Sequence, residues 1–119
     1  LTDDQRRLAL FWADHDMKLD EALAIAEHMH NIQKDVLTCD IYAWCLYKKG
    51  RFEEAQAAIK EAMRIKDKDA RTFYHAGMIE KALNHKKEAK MSLQKALQTN
   101  PAFDLLQSDN ARTALQELE

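Results

Sequence analysis

The sequence predicts an all-α fold, and three observations carry that prediction. The composition is rich in Ala, Leu, Glu, Lys and Gln, the residues that lose least on entering a helix. Only two glycines and one proline occur in 119 residues, which leaves few breakers for a strand-and-turn architecture. Apolar residues recur in steps of three and four, the spacing of one buried helical face. A chain of this length is the size of one compact domain, 1–119, and buries roughly two-thirds of its unfolded surface.

The elements follow from an internal repeat. The first repeat, about 2–35, contains "LALFW" and then "DEALAIAEHM". The second, about 36–69, contains "YAWCL" and then "EEAQAAIKEAM". The third, about 70–103, contains "AGMIE" and then "KEAKMSLQKAL". Each pair reads as two amphipathic helices joined by a short polar turn. Leu8-Ala9, Tyr42-Ala43 and Ala76-Gly77 take equivalent places, 34 residues apart. In the second helices Ala22, Ala55 and Ala89 are separated by 33 and 34. The first repeat therefore carries one extra turn residue, in "ADHDMKL".

Individual residues set the faces and ends. Phe52, Ala55, Ile59, Ala62 and Met63 form one stripe, and Ala89, Leu93, Ala96 and Leu97 another. The alanines allow close helix approach. Gly50 is expected to end a helix in the left-handed conformation, and Pro101 to stop another. Beyond it, Ser108 is the expected N-cap of a last helix, about 108–118. Its apolar face is Ala111, Ala114, Leu115 and Leu118. Such a helix would cover the face that a terminal repeat otherwise leaves in water.

These positions resemble the tetratricopeptide repeat, whose 34-residue pattern runs W-x2-L-G-x2-Y, then A-x3-F, A and P. The second repeat matches with Cys39, Tyr42, Ala43, Leu46, Ala55, Ile59 and Ala62, and has Asp67 where proline is usual. The third matches with Phe73, Ala76, Gly77, Glu80, Ala89, Leu93, Ala96 and Pro101. The first gives Gln5, Leu8, Ala9, Trp12, Ala22, Ala26 and Met29. The resemblance covers about residues 2–103. It implies a solenoid of antiparallel helix hairpins with a C-terminal capping helix, and further repeats upstream are compatible with the start at Leu1.

No chemistry emerges from the residues. The net charge of −2 argues against a broad nucleic-acid or anionic-membrane surface. No apolar run reaches the ~18 residues of a membrane span. His28 and His30 lie two apart, on different helical faces, and neither His-Glu-x-x-His nor Cys-x-x-Cys occurs; no metal, cofactor or enzymatic role is expected. Cys39 and Cys45, six apart in a helix, would have Cα atoms about 9 Å apart, beyond bridging reach. They read as small core residues, which favours a reducing compartment such as the cytoplasm; with the chain starting at Leu1, a periplasmic or secreted origin stays open. The basic strings "YKKGR" and "HKKEAK" fall in intra-repeat turns and read as solvated turns near helix C-termini.

The resemblance implies a concave groove, lined by the first helix of each repeat, that holds a partner segment. Arg6, Arg7 and Leu10 would come from the first repeat. Asp40, Ile41, Trp44 and Tyr47, with Leu37 and Lys48 beside them, would come from the second. Arg71, Tyr74, His75 and Met78, with Lys81 at the edge, would come from the third. Trp44 occupies none of the family's packing slots and is the expected anchor. The cationic clamp by which some members grip chaperone C-termini is matched only in part. Arg6 and Arg71 occupy two of its positions, His75 replaces a cation, and Leu10 and Ile41 replace asparagines. The expected function is a protein–protein interaction module that binds another protein or peptide without catalysis. The alternative is a structural segment of a longer scaffold, or a module that self-associates as a homodimer.

Overall fold

The computed structural model describes residues 3–65 and 69–119. Its described residues form seven α-helices: α1 (Asp3–Asp14), α2 (Leu19–Ile32), α3 (Val36–Lys48), α4 (Phe52–Met63), α5 (Ala70–Ala82), α6 (Lys86–Thr99) and α7 (Leu105–Leu118). The all-α prediction holds, and the helices alternate as the repeat requires. The chain divides into two compact units, Leu1–Ile65 and Lys66–Glu119. In the first, α1 packs on α2 and α3, α2 on α3, and α3 on α4. In the second, α5 packs on α6, and α7 covers both. Asp67, the residue at the usual proline position of the second repeat, lies outside the described residues.

The 34-residue period is written into the backbone as well as the side chains. Asp16, Gly50 and Asn84 all have positive φ (54°, 79° and 63°), and they are evenly spaced (50 − 16 = 34, 84 − 50 = 34). Each follows the first helix of a hairpin and closes it in the same way. The residue itself donates three positions back: Asp16 N to Ala13 O, Gly50 N to Tyr47 O, and Asn84 N to Lys81 O. The next residue donates five back: Met17 N to Trp12 O, Arg51 N to Leu46 O, and His85 N to Glu80 O. This pair of bonds is the Schellman motif, which satisfies carbonyls that the helix end leaves open. Gly50 was legible as such a cap. Asp16 and Asn84 were not singled out, although Asp and Asn are the side chains that tolerate this conformation best after glycine. The extra residue of the first turn is absorbed by a second left-handed position, Lys18 at φ 46°.

The first helices of the second and third repeats also start alike. Asp35 and Asp69, again 34 apart, are their N-caps. Each carboxylate accepts the backbone N–H three residues on, from Thr38 at 2.8 Å and Thr72 at 3.0 Å.

The last helix begins earlier than expected. Asp104, not Ser108, is its N-cap, and accepts from the N–H groups of Leu106 and Gln107. Ser108 sits buried in the first turn, where its Oγ accepts from the Asp104 N–H at 3.3 Å. A carboxylate reaching two orphan donors outcompetes a hydroxyl at this role, and the helix gains a turn. Of the expected apolar face, Ala111 and Ala114 are buried, while Leu115 and Leu118 are half-buried.

Close approach explains the small residues. Ala9, Ala43 and Gly77 occupy one repeat position; both alanines are fully buried. A Cβ on Gly77 would lie 2.6 Å from Leu93 Cγ and 3.2 Å from its backbone N. Only glycine lets α5 approach α6 this closely. The second helices keep one-sided stripes: Ala55, Ala58, Ile59 and Ala62 on α4, and Ala89, Leu93 and Ala96 on α6. By contrast α3 buries Thr38, Cys39, Asp40, Ile41, Ala43, Trp44, Cys45 and Leu46. These residues surround the helix, as expected of one packed on several sides.

Candidate functional site

The burial of α3 and α5 corrects the expected groove. Asp40, Ile41, Trp44, Tyr74 and His75 were expected on an accessible face, and all five are buried. Trp44 is only 2% exposed. Its indole Nε1 donates to Asp14 Oδ1 at 2.9 Å, tying α3 to the last turn of α1. The Tyr47 ring stacks on it with centroids 4.7 Å apart and planes 8° from parallel. The Lys48 ammonium lies 5.5 Å from its ring centroid. The physical reason is that α3 packs on three neighbours. The family's slots, Tyr42, Ala43 and Leu46, take up part of that contact, and Trp44 fills the contact with α1. The lack of a polar face along "CDIYAWCL" was the signal available in the sequence. In the second unit the Tyr74 ring lies 5.6 Å from that of Phe103.

The other expected groove residues keep some access. Arg7 is exposed, and Arg6, Leu10, Tyr47, Arg71 and Met78 are half-buried. Arg6 is already engaged: its guanidinium donates to Asp35 Oδ2 at 3.1 Å and to Thr38 Oγ1 at 3.4 Å, and pairs with Asp3. Burial pushes the Asp35 carboxyl up, but the Thr38 N–H and hydroxyl and the Arg6 guanidinium outweigh it, so its pKa lies below the usual carboxylate value. Arg6 therefore steadies the cap of α3. Two positions of the partial chaperone clamp, Ile41 and His75, are buried.

The basic turn after α3 is neutralised residue by residue. Lys48 pairs with Asp16 at 2.9 Å and Lys49 with Asp20 at 2.6 Å. Arg51 grips Glu54 through two bonds, of 2.9 and 2.6 Å. Lys81 in the second unit pairs with Glu117 of α7.

Two arrangements can do more than pack. The first is a cavity of ≈ 320 Å³ in the second unit, lined by Asp69, Ala70, Arg71, Thr99, Asn100 and Phe103. It joins the start of α5 to the end of α6, combining a guanidinium, the Asp69 carboxylate that caps α5, an amide, a hydroxyl and an aromatic wall. Arg71 makes no ion pair among the described residues. Of these six, only Arg71 was singled out as a site residue from the sequence. The second lies in the first unit, where α2, α3 and α4 bring together His30, Cys39 and Glu61 with ligand atoms all within 4.8 Å of one another. His30 Nε2 is 3.2 Å from Glu61 Oε1, and the His30 ring stacks on Tyr42 with centroids 4.6 Å apart. Sequence spacing could not find this group, because its members come from three helices. A further acid-and-histidine group, Glu80, His85 and Glu88, belongs to the turn after α5. There His85 Nδ1 and Glu80 Oε2 are 2.7 Å apart.

Antiparallel hairpins repeating every 34 residues, with matched caps and small residues where helices touch, define a tetratricopeptide-type repeat protein. The family model described as anaphase-promoting complex, cyclosome, subunit 3 matches residues 15–96. The chain belongs to this family of helical repeats. No curated protein matches the chain. The repeat type makes it a protein–protein interaction module in the general sense, of the scaffold kind.

Proposed function

We propose that the chain binds a segment of another protein, without catalysis, and that the cavity beside Arg71 is where the segment is gripped. The observation that carries this reading is the half-buried Arg71, which makes no ion pair among the described residues, on the wall of a ≈ 320 Å³ cavity that also presents Asn100 and Phe103. A guanidinium there favours a carboxylate, and the aromatic wall favours an apolar neighbour in the same segment. The ligand class is thus an extended peptide with an acidic group beside an aliphatic or aromatic side chain. The matching family is described as a subunit of a complex, which supports a partner that is another protein. In the first unit, Arg7 is exposed and Leu10 and Tyr47 are half-buried.

A peptide array probed with the purified chain tests this. Acidic-apolar peptides should bind, and Arg71→Glu should weaken the best of them by about tenfold or more, as loss of a charge-assisted pair implies. Equal binding by wild type and a folded Arg71→Glu variant would remove the cavity from the proposal.

Self-association is the second reading, favoured by one observation. Leu8 and Phe11, three apart on α1, are 41% and 52% exposed. A homodimer through this pair would show a mass in light scattering that rises with concentration and falls back to the monomer in Leu8→Lys/Phe11→Lys.

A further inference from the structure

The cluster of His30, Cys39 and Glu61 is unused by the binding proposal, and its chemistry is distinct. It offers one imidazole nitrogen, one thiol sulfur and one carboxylate oxygen, all within 4.8 Å of one another. A tetrahedral zinc ion with bonds of about 2.0–2.3 Å needs ligand atoms about 3.3–3.8 Å apart. The 3.2 Å between His30 Nε2 and Glu61 Oε1 already matches the edge of that tetrahedron, and the sulfur lies within 4.8 Å of both atoms, so it has to close by about 1 Å at most. We propose that His30, Cys39 and Glu61 form a zinc-class divalent metal site with three protein ligands and one open position.

Three features support the assignment. The ligands are held by packing rather than by loops: α2, α3 and α4 are regular helices, and stacking on Tyr42 sets the plane of the His30 ring. The site has a way in, since the Glu61 side chain is 35% exposed, whereas Cys39 lies beneath the surface. The donor set, borderline-soft nitrogen and sulfur with one carboxylate, suits zinc rather than calcium or magnesium. On binding, the Cys39 S–H proton leaves to solvent as the S–metal bond forms. The open fourth position would take water, or a side chain from a bound protein.

Cobalt(II) titration of the reduced full chain tests the site. The expected result is uptake of one ion with a thiolate-to-cobalt charge-transfer band, displaced by zinc. The band should vanish in Cys39→Ser and persist in Cys45→Ser, whose sulfur is not in the cluster. Glu61→Gln, a surface-side change that leaves the core intact, should weaken uptake by at least about tenfold, a loss that even outer-shell partners of metal ligands produce. Absence of the band in folded wild-type protein at millimolar cobalt would overturn the proposal. So would a band that survives Cys39→Ser, or affinity unchanged in Glu61→Gln.

Discussion

The Trp44 indole N–H donates to the Asp14 carboxylate at 2.9 Å, and this bond joins the first helices of two successive repeats. It converts the most conspicuous aromatic of the chain from a surface anchor into a structural pin. Trp44→Ala would leave a large void between α1 and α3 and an unpaired carboxylate. The expected cost is about 3–5 kcal/mol, typical of a buried tryptophan truncated to alanine. Urea denaturation monitored by far-ultraviolet circular dichroism measures it. A loss under 1 kcal/mol would mean that α3 does not depend on this contact.

Gly77 tests how closely two helices approach. An added methyl would overlap the Cγ of Leu93, whose side chain is fully buried, and approach its backbone N to 3.2 Å. Gly77→Ala is expected to destabilise by about 1–3 kcal/mol, the usual range for overpacking, despite alanine's better helix propensity. A thermal melt of the variant decides it, and a raised midpoint would contradict the packing.

The three turn positions make opposite predictions. Gly50 has open space around its Cα but a φ of +79°, so Gly50→Ala should cost about 1 kcal/mol through backbone strain alone. Asn84→Gly and Asp16→Gly place the favoured residue in the same left-handed caps. They should be neutral or slightly stabilising. Chemical denaturation of the three variants side by side separates conformational strain from packing.

The two thiols predict a loss of stability in alkali. Burial raises Cys39 from 9.0 to about 11, and burial together with the Asp14 charge raises Cys45 from 9.0 to about 12. Both are neutral in the folded chain, while the unfolded chain begins to ionise near pH 9. Their contribution is complete below pH 9 and falls as pH rises towards 11–12, by roughly 1.4 kcal/mol per pH unit for each thiol. Tyr42 and Tyr47, also raised by burial, add to the fall from about pH 10. Urea melts in chelator from pH 8 to 11 should show this decline, and it should be shallower between pH 9 and 10 in Cys39→Ala/Cys45→Ala. The same burial predicts slow alkylation of both thiols at neutral pH.

Helix type, repeat length and the one-residue offset of the first turn were all readable from residue order, because helical faces and turns are local. Ala22, Ala55 and Ala89, aligned by spacing, each fall at the fourth residue of a second helix; these helices begin at Leu19, Phe52 and Lys86. The close-packing role of Gly77 was implied by its repeat position, where alanine stands in the other two repeats. Tertiary packing decided which faces reach solvent. α3 is covered by α1, α2 and α4, and Trp44, Ile41, Asp40, Tyr74 and His75 are interior, although the family resemblance implied an accessible face for them. Packing also brought His30, Cys39 and Glu61 together from three helices, and Arg71, Asn100 and Phe103 around one cavity. Periodicity along a chain records which residues share a helix face. It holds no record of how many neighbours that face meets, and for this protein that number separates core from site.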